Sequence, residues 1–407
     1  MKKICFFLIL LGGVTHGHAQ VQKFITSRGT RLVTPAGKTY QMKGTNLGNW
    51  LVPEGYMFKF KNASSPRLIQ GMLNELVGQE KADDFWKKYL DNYITREDIH
   101  YLATLGMNSL RIPFHYKLFT NEAYLGGSGA KRGFALMDKL VAWCREEKLY
   151  LLLDMHCAPG GQTGDNIDDS WGTPFLFEET ASQQQTIAIW KMIATHYKDE
   201  PYILGYDLLN EPIATYFDSS RYNKHLEPLY KKITQAIRSV DANHLIFYGG
   251  AQWNSNFRVF GKPFDSKAVY SFHKYWTPAT TAVIQDYLDF GKKYQVPLHC
   301  GETGENTDEW VEQFRKVLDS NNVGWHYWPY KKMDNTRGIV SFTVPQYFEQ
   351  VIGFADTARN NFELVRKSRP KNEQEISQAL DGFLLNCRFK NCYPNKRYIS
   401  ALDFGKH

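Results

Sequence analysis

The sequence predicts an α/β fold, a (β/α)8 TIM barrel in one domain with a short C-terminal extension. Three observations predict it. Eight short apolar runs alternate with segments of helical period between about residues 40 and 365. Polar side chains gather at the C-terminal ends of those runs, where such a barrel builds its sites. The 407 residues suffice for one large core, and no repeat at solenoid periods breaks the pattern.

The elements follow in chain order. Lys2 and Lys3 precede an apolar run from Ile4 to Leu11 that is too short to span a bilayer, and Gly17-His18-Ala19 is a small-x-small cleavage site. Residues 1–19 therefore read as a signal peptide cut near Ala19, and the chain as exported, periplasmic or extracellular. Cys5 lies too early in the run for a lipid-anchored start. The eight strand runs end at Asn46 (QMKGTN), Pro113 (NSLRIP), His156 (LYLLLDMH), Asn210 (YILGYDLLN), Gly249 (HLIFYG), Lys274 (AVYSFHK), Glu302 (VPLHCGE) and Trp328 (VGWHYW). Helical period appears over 96–105, 133–147, 183–197, 222–240, 283–294 and 308–320, the first stopping at Gly106. Strands alternating with helices imply parallel βαβ units, and eight of them imply closure. Two connections read as long loops, 52–79 and 157–180, and long loops after strands are where barrel enzymes shape substrate sites. The barrel is set at 24–365 and the extension at 366–407, the tail from about residue 361 packing on the barrel as helix and loop.

Composition narrows the classes. Hydrophobic residues at 43% and charged residues at 22% suit a globular chain, not a disordered one. The net charge of +7 forms no basic stripe with interleaved aromatics, which argues against nucleic acid. No later segment is apolar enough for membrane insertion. Aromatics at 15% fill a core and can also line a cleft, where rings stack on the apolar faces of sugars. Cys5 leaves with the signal, so Cys144, Cys157, Cys300, Cys387 and Cys392 remain. Cys387 and Cys392 are near enough in sequence to bridge, and their pairing stays open. No cysteine pair has zinc spacing with nearby histidines. No metal and no cofactor are implied, and a monomer is expected.

The strand ends carry the chemistry. Asn46, Arg111, His156, Asn210, Glu211, His273, Tyr275, Glu302 and Trp328 all fall on one rim of a barrel. Polar groups are costly at such buried positions unless paired or used. Each alone has a structural explanation, but such explanations do not predict one shared rim. Two carboxylates on opposite sides of a glycosidic bond, about 5–5.5 Å apart, perform retaining hydrolysis. Glu302 is placed as nucleophile and Glu211 as general acid/base with a raised pKa. Arg111 can hold Glu302 ionised and Tyr275 can donate to it. Asn210 can bind the sugar 2-hydroxyl, His156 and His273 can bind hydroxyls and shape the field around Glu211, and Trp328 can floor the sugar ring. Trp276 and Trp171 are stacking candidates that could equally serve packing.

The order Arg111, His156, Asn210-Glu211, His273-Lys274-Tyr275, Glu302, Trp328 resembles the functional set of glycoside hydrolase family 5, over roughly residues 35–365. Within it, the segment from Gly44 through Asn46 and Trp50 to Glu54, with His156 to Asn166, resembles the exo-β-1,3-glucanase and endo-β-1,6-glucanase group. That resemblance implies that Glu54 binds hydroxyls of the sugar in the −1 subsite. It also implies an oligo- or polysaccharide partner and a β-1,3- or β-1,6-glucanase or β-glucosidase. The chain departs from the group at Asn49, usually Gly, at Gly55 and Tyr56, and at Pro329 and Tyr330, which leaves linkage and exo or endo action open.

Other readings are a carbohydrate-binding barrel without catalysis, an endo-β-1,4-glucanase or mannanase of the same family, and transglycosylation by the same two glutamates. A metal-dependent hydrolase barrel needs a His-x-His pair on the first strand, and KGTNLGNW has no histidine.

Overall fold

The computed structural model describes residues 23–405. The expected signal peptide lies outside them. Eight strands form a closed barrel: β1 Lys43–Asn46, β2 Ser109–His115, β3 Tyr150–Cys157, β4 Ile203–Asp207, β5 Leu245–Gly249, β6 Ala268–Lys274, β7 Leu298–Thr303 and β8 Gly324–Tyr327. All pairings are parallel, and β8 closes on β1 with Trp325 opposite Lys43 and Tyr327 opposite Thr45. The strands are buried almost end to end, because helices cover one face and the barrel interior the other.

Alternation along the strands sorts the interior into layers. Leu152, Asp154 and His156 share one face of β3. The apolar end of that face joins Ile25, Leu32, Met42, Leu204, Leu245, Phe247 and Val269 in a cluster of its own. A small antiparallel sheet (Thr26–Arg28, Arg31–Val33, Thr39–Tyr40) contributes Ile25's neighbourhood and Leu32, and so plugs the bottom. Above it runs a polar layer. Ser271 Oγ lies 3.1 Å from His299 Nδ1, His299 Nε2 lies 2.8 Å from His326 Nδ1, and His326 Nε2 lies 3.1 Å from Ser109 Oγ. The functional side chains sit on this base.

The helices follow the expected periods with shifted ends: Arg96–Thr104, Arg132–Glu147, Thr180–Tyr197, Ser219–Arg238, Gln285–Tyr294 and Asp308–Ser320. Strand ends shift more. β2, β3 and β7 run one or two residues past Pro113, His156 and Glu302. β4 stops at Asp207, and Asn210 reaches its neighbour by a single bond, its N–H donating to Met155 O at 3.1 Å. Ladders end where neighbouring strands diverge, which local hydrophobicity does not report.

The stretch 52–79, read as a loop, contains the helix Pro66–Val77. Pro66 occupies its first turn, and Ile69, Met72, Leu73 and Leu76 give it a buried stripe. The tail holds three helices, Phe362–Ser368, Glu373–Asn386 and Lys396–Ala401. Its Tyr393–Pro394 strand pairs with Val340–Phe342, outside the barrel. Cys387 and Cys392 are both free thiols. Among the described residues, no helix is long and apolar enough to cross a membrane.

Candidate active site

A cleft of about 480 Å³ opens at the C-terminal rim of the barrel. Glu54, His156, Glu211, His273, Tyr275, Trp276, Glu302 and Trp328 line it. Asn46, Arg111 and Asn210 are absent from that lining and are fully buried. The strand order thus brings the named residues together on two levels, one facing the cleft and one supporting it.

Arg111 organises the lower level. Its Nη1 donates to Glu302 Oε1 at 2.7 Å and to Asn46 Oδ1 at 3.0 Å. Its Nε donates to Asp207 Oδ2 at 2.8 Å, and its Nη2 to Asn210 Oδ1 at 2.8 Å, with Asp154 Oδ1 at 3.0 Å. Burial opposes its charge, but Asp154, Asp207 and Glu302 outweigh burial and hold its pKa above the ordinary arginine value. Burial also pushes Asp154 and Asp207 up to about 7 against the pull of Arg111. Asn46 spans the seam, donating to Gly301 O and His326 O at 3.1 Å each.

The two glutamates differ in surroundings. Glu302 takes Arg111 on one oxygen and the Tyr275 hydroxyl, at 3.1 Å, on the other. Glu211 Oε1 lies 2.8 Å from His273 Nδ1. Burial pushes the Glu211 carboxyl up to about 7, opposed by His156 and Arg111 and aided by Asp165. Burial lowers His156 to about 4 and His273 to about 3, so both imidazoles are neutral near pH 7. His156 Nδ1 lies 2.7 Å from Asp154 Oδ2, which orients its ring parallel to Trp328 at 5.7 Å. One oxygen from each glutamate and a His273 ring nitrogen fall within 4.8 Å of one another.

Glu211 has φ +44°, a left-handed conformation that costs a non-glycine residue of order 1–3 kcal/mol. The loop after β3 holds it there. Gln162 Nε2 donates to Asn210 O at 2.8 Å and Thr163 Oγ1 to Glu211 O at 2.8 Å. Ile213 N and Ala214 N then donate to Gln162 O and Thr163 O. This gives the His156–Asn166 segment a structural role beside the acid.

The opposite wall comes from the chain after β1 and β8. Glu54 is buried, and its Oε1 has no hydrogen-bond partner. Burial, then the charges of Glu302, Glu305 and Glu211, push its pKa well up. Its backbone N–H donates to Asn49 Oδ1 at 2.9 Å, and Asn49 has φ +64°, a left-handed conformation that asparagine adopts more readily than other non-glycine residues. Trp328 Nε1 donates to Tyr56 Oη at 2.6 Å. A Cβ on Gly48 would stand 2.5 Å from the Trp328 indole, so glycine there lets the ring lie down.

Five further residues belong to the site without standing in any strand-end motif: Asp207, bonded to Arg111, and Tyr56, Gln252, Trp253 and Glu305, which line the cleft. A signal existed for Asp154, which shares its strand face with His156. Trp171 lies outside the lining, with the Arg67 guanidinium 3.9 Å over its ring.

A model of the family described as Cellulase (glycosyl hydrolase family 5) matches residues 72–334. The chain is 31% identical over 350 residues to a beta-xylosidase of Phanerodontia chrysosporium, covering 76% of this chain and 71% of that protein. It is 26% identical over 237 residues to a probable glucan 1,3-beta-glucosidase A of Aspergillus clavatus, covering 55% of each. The fold is similar to that of a rutinosidase from Aspergillus niger, with TM-score 0.57 and 19% identity, over 73% of this chain and 91% of that one. With the family's model spanning most of the barrel that carries these strand-end residues, the chain belongs to glycosyl hydrolase family 5 and hydrolyses O-glycosyl compounds.

Proposed function

We propose that this chain is a retaining β-glycosidase of β-1,3- or β-1,6-glucanase or β-glucosidase type, with Glu302 as nucleophile and Glu211 as acid/base. The observation that carries this reading is the carboxyl spacing, with oxygens of Glu211 and Glu302 within 4.8 Å. Retaining enzymes hold their carboxyls about 5–5.5 Å apart, and inverting ones about 6.5–9.5 Å, to leave room for water.

The unequal surroundings support the division of roles. Arg111 and Tyr275 stabilise a charged Glu302, ready to attack the anomeric carbon. Glu211, pushed up to about 7, keeps the proton that the leaving oxygen needs. Once it has lost that proton, Glu211 takes one from water, which then displaces Glu302 from the sugar. Trp328 offers the sugar a flat face, and Glu54 Oε1 offers an acceptor or donor for its hydroxyls.

The choice of linkage rests on the likeness to the probable glucan 1,3-beta-glucosidase and on the motif from Gly44 to Glu54. We also propose export, on the residues before Gln20. Proton NMR during hydrolysis of an aryl β-glucoside tests the stereochemistry. The β-anomer should appear first and mutarotate later. First appearance of the α-anomer would overturn double displacement.

A further inference from the structure

The functional residues stand on a polar layer that crosses the barrel from β6 through β7 and β8 to β2. Its members, Ser271, His299, His326 and Ser109, are all fully buried. Polar groups are costly there unless each finds a partner. These four are bonded in a row. Each bond in such a row has a donor end and an acceptor end, and a neutral imidazole carries one of each. Fixing the donor at one end therefore fixes every tautomer along it.

The fixed end lies at β2. Asn108 Nδ2 donates to Gln41 O at 2.8 Å, and the Lys43 N–H donates to Asn108 Oδ1 at 2.8 Å, so backbone groups set which way this amide faces. Ser109 Oγ lies 3.1 Å from that Oδ1 and donates to it. The Ser109 oxygen is then the acceptor for His326 Nε2–H at 3.1 Å. His326 Nδ1 is left bare and accepts from His299 Nε2–H at 2.8 Å. His299 Nδ1 is bare in turn and accepts from Ser271 Oγ–H at 3.1 Å. Burial and Arg111 hold His326 down at about 3. Burial, His326, Arg111 and His273 lower His299 as well, so both rings are neutral and the row has one polarity.

The row ends beside the acid. Ser271 and His273 share one face of β6. Ser271 Oγ and His273 Nε2 both border Gly301, each 2.8 Å from the place a Cβ on that glycine would take. His273 Nε2 is buried and has no hydrogen-bond partner among the described residues. With its hydrogen given to His299, Ser271 Oγ turns only lone pairs outward, and these attract a proton on Nε2 and repel a bare nitrogen. A proton on Nε2 leaves His273 Nδ1 bare, 2.8 Å from Glu211 Oε1. Only a protonated Glu211 can then supply the hydrogen of that bond.

We infer that Ser109, His326, His299 and Ser271 are positioning residues that set the tautomer of His273 and so keep the proton on Glu211 until the leaving group takes it. The inference rests on the acid/base reading of Glu211. A reversed row would put a proton on His273 Nδ1, which would donate to Glu211 and favour its carboxylate. Arg111, His156 and Asp165 also act on the Glu211 carboxyl. Glu54, Asp154, Tyr275 and Glu302 stand near enough to interact with it. The polarity of the row changes none of these, so it can be read on Glu211.

Two measurements test the inference. In the chain labelled with 15N-histidine, long-range 1H–15N spectra at about pH 6 separate protonated from bare ring nitrogens. His273, His299 and His326, assigned through His273→Gln, His299→Gln and His326→Gln, should each carry the proton on Nε2. A proton on His273 Nδ1 would overturn the inference, and this spectrum needs no active variant. The second measurement is the alkaline limb of kcat/KM for phenyl β-glucoside, whose leaving group needs the proton. Ser271→Ala should move His273 to the Nδ1–H form and shift that limb down by about one pH unit. Ser109→Ala frees the far end and should shift it the same way, and Ser271→Thr should restore it. A limb that stays in place in both alanine variants would overturn the inference. Full turnover by Glu211→Gln would instead overturn the acid/base reading itself, whatever tautomers the spectrum shows.

Discussion

Arg111 Nη1 lies 2.7 Å from Glu302 Oε1, both deep in the barrel mouth. The contact joins stability to chemistry. Arg111 is the cation that Asp154, Asp207 and Glu302 share, at 2.7–3.0 Å. Arg111→Met would leave those carboxyls buried without a countercharge. Loss of one partner of a buried pair costs about 3–5 kcal/mol. Urea unfolding at pH 7 should show a loss of that order, along with loss of turnover.

Tyr275→Phe removes one neutral donor from Glu302 and leaves the ring in place. A hydrogen bond to a charged group contributes about 1.5–3 kcal/mol. The expected result is a fall in kcat of about 10- to 100-fold together with a lower melting temperature, since the same bond is lost from the folded chain. Steady-state rates and a thermal melt check both halves.

Glu211 sets the pH dependence. Its carboxyl is pushed up to about 7 from an ordinary 4.5, so activity that needs its proton should fall as pH rises through about 7. The same shift has a sign for stability. Between pH 4.5 and 7 the folded chain keeps a proton that the unfolded chain releases, so stability drops as pH rises across that window. At about 1.4 kcal/mol per pH unit the loss is at most about 3.5 kcal/mol. Glu211→Gln should therefore unfold at a higher temperature than the parent at pH 8 and at the same temperature at pH 4. Thermal melts at the two pH values decide it.

Gly48→Ala would drive a Cβ to 2.5 Å from the Trp328 indole. The ring must tilt, and it is tied to Tyr56 and parallel to His156. We expect KM for aryl β-glucosides to rise, measured by steady-state rates on the purified variant.

Most of this site was legible in the sequence because a barrel turns strand order into geometry. His156, Asn210, Glu211, His273, Tyr275, Glu302 and Trp328 are placed at or just past the ends of five strands, with Arg111 inside β2 below them, and hydrophobic period finds those strands within a few residues. Asp207 was hidden inside an apolar run, where a lone aspartate reads as noise until Arg111 is seen beside it. Tyr56 and Trp253 were not legible, since both stand on connections whose path depends on packing far away in sequence. The left-handed turn at 252–254 has no glycine to announce it. The helix Pro66–Val77 lies within the stretch 52–79 that reads as a long loop, although Ile69, Met72, Leu73 and Leu76 give it an apolar stripe.

The central claim is that Glu302 bonds to the sugar. Incubation with a 2-deoxy-2-fluoro-β-glucoside carrying a good leaving group, followed by mass analysis of the digested protein, tests it directly. The account predicts one added fluoroglucosyl unit on the peptide containing Glu302, and none in Glu302→Gln. A label on any other residue, or full turnover of natural substrate by Glu302→Gln, would contradict it.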